Sequence, residues 1–215
     1  MTAPAEPGRD CPLCPRLAAL RGRQRALHAD WHNAPVASFG PLDAPLLVIG
    51  LAPGLRGANR TGRPFTGDGS GELLFAALAA HGLGDGSYAG TAADGYTPTG
   101  FRITNAVRCL PPDNRPLPAE IAACRTFLAA EIAAMPHLAG IMALGRLAHD
   151  AALAALGRKR ARHPFAHGRV HEPPDGPWLA DSYHPSRYNM STGRLTRAML
   201  DAAVAAVARR LPLSR

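Results

Sequence analysis

The chain of 215 residues is 47% hydrophobic, which suits one soluble core and marks no division into two domains. It holds no apolar stretch of the roughly 18–20 residues that a bilayer crossing requires, and its polar start, Met1 to Asp10, has no apolar signal core, so a cytoplasmic protein is expected. A formal net charge of +8 points to a polyanionic partner, nucleic acid before any other.

In chain order, apolar periodicity predicts a helix from about Arg16 to Ala29 and a buried strand at Leu46–Ile49. A helix follows at Glu72–His81, with Gly82 in the place of a C-cap glycine. Phe101–Val107 is a second strand; Pro118, suited to a first helical turn, opens a helix that Pro136 ends after Met135. Leu138–Leu144 and Trp178–Ser182 complete the strands, with helices at Arg146–Leu156, closed by Gly157, and at Arg194–Arg209. This alternation predicts an α/β fold: a mostly parallel sheet with helices on both faces and ligand-binding loops along one edge. No internal repeat or coiled-coil heptad pattern is present.

The loop after the first strand is the densest signal. Gly50-Leu51-Ala52-Pro53-Gly54 is followed by Asn59-Arg60-Thr61-Gly62-Arg63-Pro64-Phe65-Thr66-Gly67-Asp68. It offers backbone amides, one aromatic face and one carboxylate, but no Walker lysine, so a ligand there is held by shape, stacking and main chain. The second strand carries Asn105 near its end, and the fourth delivers Tyr183-His184-Pro185-Ser186-Arg187-Tyr188-Asn189 to the same edge.

Each of these residues also has a plainer role open to it. Phe65 could stack on a flat ring or simply fill core. Asp68 could act on a substrate or cap the helix at Glu72. Asn105 and His184 could face a ligand or satisfy local backbone and solvent. Arg60 and Arg63, close to the crevice, suit phosphates better than the basic run Gly157–Arg162. A serine hydrolase built on Ser186 and His184 fails, because the two are neighbours in a proline loop without a nucleophile elbow.

Cys11, Cys14, Cys109 and Cys124 suggest a metal or redox site in a reducing cytosol rather than two disulfides. Zinc and a four-iron cluster both accept four thiolates, and spacing leaves the two open. Either would tie the N-terminal arm to the body of the fold.

Taken together, Cys11–Cys14, Gly50–Asp68, Thr104–Cys109, Cys124 and His184–Asn189 resemble the iron–sulfur uracil-DNA glycosylases. The likeness spans most of the chain and is greatest to the type 5 branch, because Leu51 and Ala52 stand where the wider superfamily usually has a polar residue. The resemblance implies a three-layer α/β/α sandwich around a four-stranded parallel sheet. It also implies a structural [4Fe–4S] cluster on the four cysteines, with zinc as the alternative. The implied reaction flips uracil from double-stranded DNA and hydrolyses its N-glycosidic bond, leaving an abasic site. In that scheme Asp68 and His184 are catalytic, and Gly50, Leu51, Ala52, Phe65 and Asn105 bind the base. Arg60, Arg63, Ser186, Arg187 and Tyr188 contact DNA, with Arg187-Tyr188-Asn189 at the position of an intercalating loop.

No lysine lies in these motifs to form a Schiff base, so a monofunctional hydrolase is expected. A pocket that relies on stacking and main chain would also accept other deaminated bases such as hypoxanthine. The protein is expected to be a monomer associated with the nucleoid. The competing expectation is a DNA-binding cluster protein without catalysis.

Overall fold

The computed structural model describes residues 3–212; the first two residues of the Met1–Asp10 start, and residues 213–215, lie outside the described residues. The elements are α1 (Pro15–Leu27), β1 (Leu46–Gly50), α2 (Ala58–Thr61), α3 (Gly69–Ala80), β2 (Gly84–Asp85), β3 (Thr97–Pro98) and β4 (Phe101–Asn105). They continue with α4 (Pro118–Ala134), β5 (Gly140–Leu144), α5 (Arg146–Ala155), β6 (Val170–His171), β7 (Trp178–Ser182), α6 (Arg187–Ser191) and α7 (Arg197–Ala208).

Leu46, Leu47, Val48 and Ile49 are all fully buried, and their alternation dictates the layering. Successive strand side chains point to opposite faces. Leu46 and Val48 pack with Leu74, Phe75 and Leu78 of α3 and Leu200, Val204 and Val207 of α7. Leu47 and Ile49 pack with Leu128 of α4 and Ala148, Ala152 and Leu153 of α5. Each such side chain contributes about 1.5–3 kcal/mol on burial, and a strand apolar on both faces fits only the middle layer of three.

The main sheet has the order β4-β1-β5-β7-β6. Its first four strands run parallel, so the expected four-stranded parallel core is present, with β6 added antiparallel to β7. Two residues, Val170 and His171, are too few for a periodic signal, which is why the expectation stopped at four. β2 and β3 pair as a separate antiparallel ribbon. The expected helices are all present, with ends shifted by up to three residues; Gly82 and Gly157 adopt the positive φ of 72° and 68° that follows a helix end. Among the described residues no helix is long and apolar enough to cross a membrane.

Parallel strands place the residues after β1, β4 and β7 along one edge, as expected from the sequence. At β4 and α4 a buried charge network fixes the layers. Glu131 of α4 accepts from Arg102 Nε at 2.7 Å and from Arg108 Nη2 at 2.5 Å.

Candidate active site and cysteine cluster

At Gly50, β1 ends under two converging side chains. A Cβ there would lie 2.5 Å from Asn105 Oδ1 and 2.6 Å from the Phe65 ring, so only glycine lets those groups meet. Phe65 itself sits at φ 52°, a left-handed conformation that a bulky residue adopts only when its surroundings impose it. The Tyr88 hydroxyl holds it there, donating to the Phe65 carbonyl at 3.1 Å and accepting from Gly67 N at 3.3 Å. The chain then enters α3 through Asp68, whose Oδ1 caps the helix by accepting from Ser70 N (3.1 Å) and Gly71 N (3.3 Å). The helix-capping role open to Asp68 is therefore real, and it occupies only one oxygen.

Phe65 and Asp68 line a cavity of about 290 Å³ together with Leu51, Ala52, Asn105, His184 and Ser186; Gly50, expected to bind the base, does not line it and instead lies against Asn105 and Phe65, which do. Asp68 Oδ2, the Asn105 amide and the His184 ring belong to lining residues and have no protein hydrogen-bond partner among the described residues; the same holds for the Ser70 hydroxyl and the Asn114 amide. Asn105 is only 3% exposed, so its free amide is available to an occupant of the cavity rather than to bulk water. His184 stacks on Phe65 with centroids 5.5 Å apart. Desolvation lowers its pKa to about 4, outweighing the upward pull of the Asp68 carboxylate, so the ring is neutral at neutral pH. Its carbonyl accepts from Ser186 N and from Asn189 Nδ2, both at 2.8 Å, which fixes the turn presenting the ring.

Sequence reasoning missed Asn114, Ser70, Pro53, Gly54 and Ala58, which also line the cavity. Asn114 comes from the turn Pro112–Asn114 with φ 55°; its only sequence signal is the Pro-Pro-Asp-Asn cluster, which marks a turn but not its direction.

Arg63 requires a correction. It was expected to contact phosphates, yet it is 5% exposed and donates to both Asp94 oxygens at 2.7 and 2.6 Å and to Thr66 Oγ1 at 2.8 Å. Its guanidinium lies 4.9 Å from the Phe39 ring centroid. Desolvated and fully paired, it braces the Phe65 loop from within. Arg60 is exposed and remains available to an anion. Arg187 and Tyr188 are exposed too, but they form the first turn of α6 rather than a loop, and the Ser186 hydroxyl accepts from Asn189 N as its cap.

The four cysteines meet at a small pocket closed by Leu17, Ala123 and Phe127, with Cys109 and Cys124 buried and Cys11 and Cys14 half-buried. Burial pushes the Cys109 thiol up to about 12 and raises Cys14 and Cys124 as well, with neighbouring sulfurs adding to the effect at Cys14 and Cys109. Such a donor set suits a cationic group that displaces the protons. Arg21 Nη1 donates to Cys109 Sγ at 3.7 Å and Arg108 N to Cys124 Sγ at 3.5 Å, contacts that strengthen when the sulfur carries charge. Among the described residues no three of these sulfurs lie within 4.8 Å of one another. Thiolates on one zinc ion, with Zn–S near 2.3 Å, would stand about 3.8 Å apart.

Comparison with known proteins agrees with this geometry. The family described as "Uracil DNA glycosylase superfamily" matches residues 37–208. The chain is 45% identical over 194 residues to a type-5 uracil-DNA glycosylase of Thermus thermophilus, covering 88% of each chain. A type-5 uracil-DNA glycosylase of Pyrobaculum aerophilum is 42% identical over 191 residues, covering 87% of this chain and 83% of the relative. The type-4 uracil-DNA glycosylase of the same organism is only 29% identical over 165 residues, 76% of this chain and 70% of the relative. On its fold, its cavity and these likenesses, the chain belongs to the uracil DNA glycosylase superfamily and groups with the type-5 members.

Proposed function

We propose that this protein excises uracil from double-stranded DNA by hydrolysing the N-glycosidic bond, with Asp68 and His184 as catalytic residues. The observation that carries the assignment is the meeting of Asp68 Oδ2, the Asn105 amide and the His184 ring, each without a protein partner among the described residues, in one cavity beside Phe65.

A flipped uracil stacks against Phe65, and the Asn105 amide, both donor and acceptor, meets its polar edge. Bond cleavage sends the glycosidic electron pair onto the base, so negative charge builds on its carbonyl oxygens. The neutral His184 ring donates one N–H to that charge, which a dry site makes effective. Positive charge builds at the same time on the sugar. Asp68 Oδ2 stabilises it and orients the attacking water, the role carboxylates take in glycoside hydrolysis. Lys159 is the only lysine and lies outside the cavity, which supports hydrolysis without a lyase step.

Arg60 contacts phosphate. Tyr188, 70% exposed next to the cavity-lining Ser186, fills the gap left by the flipped base. The cavity is larger than one pyrimidine fills, which supports excision of hypoxanthine as well; turnover of uracil alone across a lesion panel would refute that breadth. Cys11, Cys14, Cys109 and Cys124 hold a [4Fe–4S] cluster, zinc being the less supported alternative; when bound, it cross-links the N-terminal arm to the body.

The test is Asp68→Asn, because asparagine retains the capping oxygen while removing the charge. Single-turnover excision is expected to fall by about 10²–10³-fold, the scale of losing one electrostatic stabiliser, with duplex affinity nearly unchanged. An unaltered single-turnover rate would remove Asp68 from the mechanism.

A further inference from the structure

A second cluster of chemistry-bearing side chains lies apart from both the cavity and the cysteines. Asp181 of β7 is 1% exposed and holds two histidines. His149 Nδ1 of α5 lies 2.7 Å from its Oδ1, and His171 Nε2 of β6 lies 3.3 Å from its Oδ2. Ala166 N donates to the same Oδ2 at 3.2 Å. The three ligand atoms all fall within 4.8 Å of one another.

The tautomer of His149 is fixed by its other side. Nε2 is 2.8 Å from the His163 carbonyl, and a carbonyl only accepts, so Nε2 carries the hydrogen. In a neutral ring, Nδ1 then turns a lone pair toward a carboxylate oxygen at hydrogen-bond distance. Two lone pairs hold that position only with a positive species between them, either a proton on Nδ1 or a metal ion. A ring N–H donated to a backbone carbonyl is also how metal-ligating histidines are oriented. The arrangement of two imidazoles and one carboxylate is a donor set for zinc and similar ions. His163, with its ring 5.5 Å from that of His171, is the nearest further imidazole.

We propose that His149, His171 and Asp181 form a binding site for a divalent transition-metal ion of the zinc type. Its consequence is mechanical. Gly168 N donates to the Asp181 carbonyl, and among the described residues β6 pairs only with β7, so an ion at Asp181 would pin segment 163–171 to the strand that delivers His184.

The experiment uses the cluster-loaded full chain and titrates cobalt(II) as the probe. Saturable uptake of one ion per chain is expected, with the visible absorption of a nitrogen–oxygen site, unchanged cluster absorbance and displacement by zinc. His171→Gln, at a half-buried position, is expected to lose that uptake; His149→Gln provides a second variant. Zinc is expected to raise the melting temperature of the wild type and not of His171→Gln. Failure of the wild type to take up cobalt would overturn the site and leave a proton-held ion pair. Equal uptake by His171→Gln would overturn it too, as would the intense sulfur-to-cobalt bands that mark binding at cysteine.

Discussion

In the proposed mechanism His184 acts through a ring that desolvation keeps neutral, its pKa lowered to about 4 despite the nearby Asp68 carboxylate. A neutral imidazole still donates one N–H to the charge growing on the departing base, and it brings no full charge into a half-dry cavity that would have to solvate it. Single-turnover excision is therefore expected to show no inflection from His184 between about pH 6 and about pH 8. A rate that climbs as pH falls through about 6.5 would mark an imidazolium instead. The same shift bears on stability. The unfolded chain takes up this proton near 6.5, while the folded ring stays neutral until about 4. Stability from this group is thus complete above about pH 6.5 and declines as pH falls toward 4. Denaturation midpoints of wild type and His184→Ala across that window should converge on acidification.

At the scale of elements, the loop between β1 and α3 separates two arginines that look alike in the sequence. Arg63 is braced against the buried Asp94, whose carboxyl it holds well below the usual range. Arg63→Ala would leave that carboxylate without its cation, held only by the Ala89 and Tyr96 amides, at a cost of about 3–5 kcal/mol, read as a lowered urea midpoint. Arg60→Ala should leave stability unchanged and instead reduce the salt dependence of DNA binding by about 0.9 in log–log slope. The opposite pattern would reverse the two assignments. Strand ends, the crowded Gly50 and the Phe65–Asp68 pair were legible because strand–loop–helix order alone brings them to one edge. The partner of Arg63 was not, because Asp94 lies 31 residues away in a stretch without apolar periodicity. Helix α6, only five residues long, escaped for the same lack of pattern, although Ser186 is a sound cap.

Across the whole molecule, two core layers hold the cavity, and the cysteine pocket joins the N-terminal arm to them through Leu17, Val107, Cys109 and Cys124. The fold class was legible from β1, since four consecutive buried residues with both faces apolar have few other homes. The convergence of four cysteines was legible as chemistry, whereas their spacing emerged only in three dimensions. Arg16–Glu120 and Arg25–Asp10 contacts also hold the arm, but both involve partly solvated side chains and add little. Removing the proposed cluster, by Cys14→Ser or by chelation, is therefore expected to expose the arm to proteolysis and lower the melting temperature. An arm equally protected without the cluster would contradict that role.

The central claim, excision of uracil through the groups in the β1–β4–β7 cavity, is tested most directly with a labelled duplex bearing one U·G pair. Alkali-revealed strand cleavage is measured for cluster-loaded wild type and His184→Ala side by side. The expected result is cleavage by wild type and a rate about 10²–10³-fold lower in the variant. No cleavage by cluster-loaded wild type, or equal cleavage by both proteins, would contradict it.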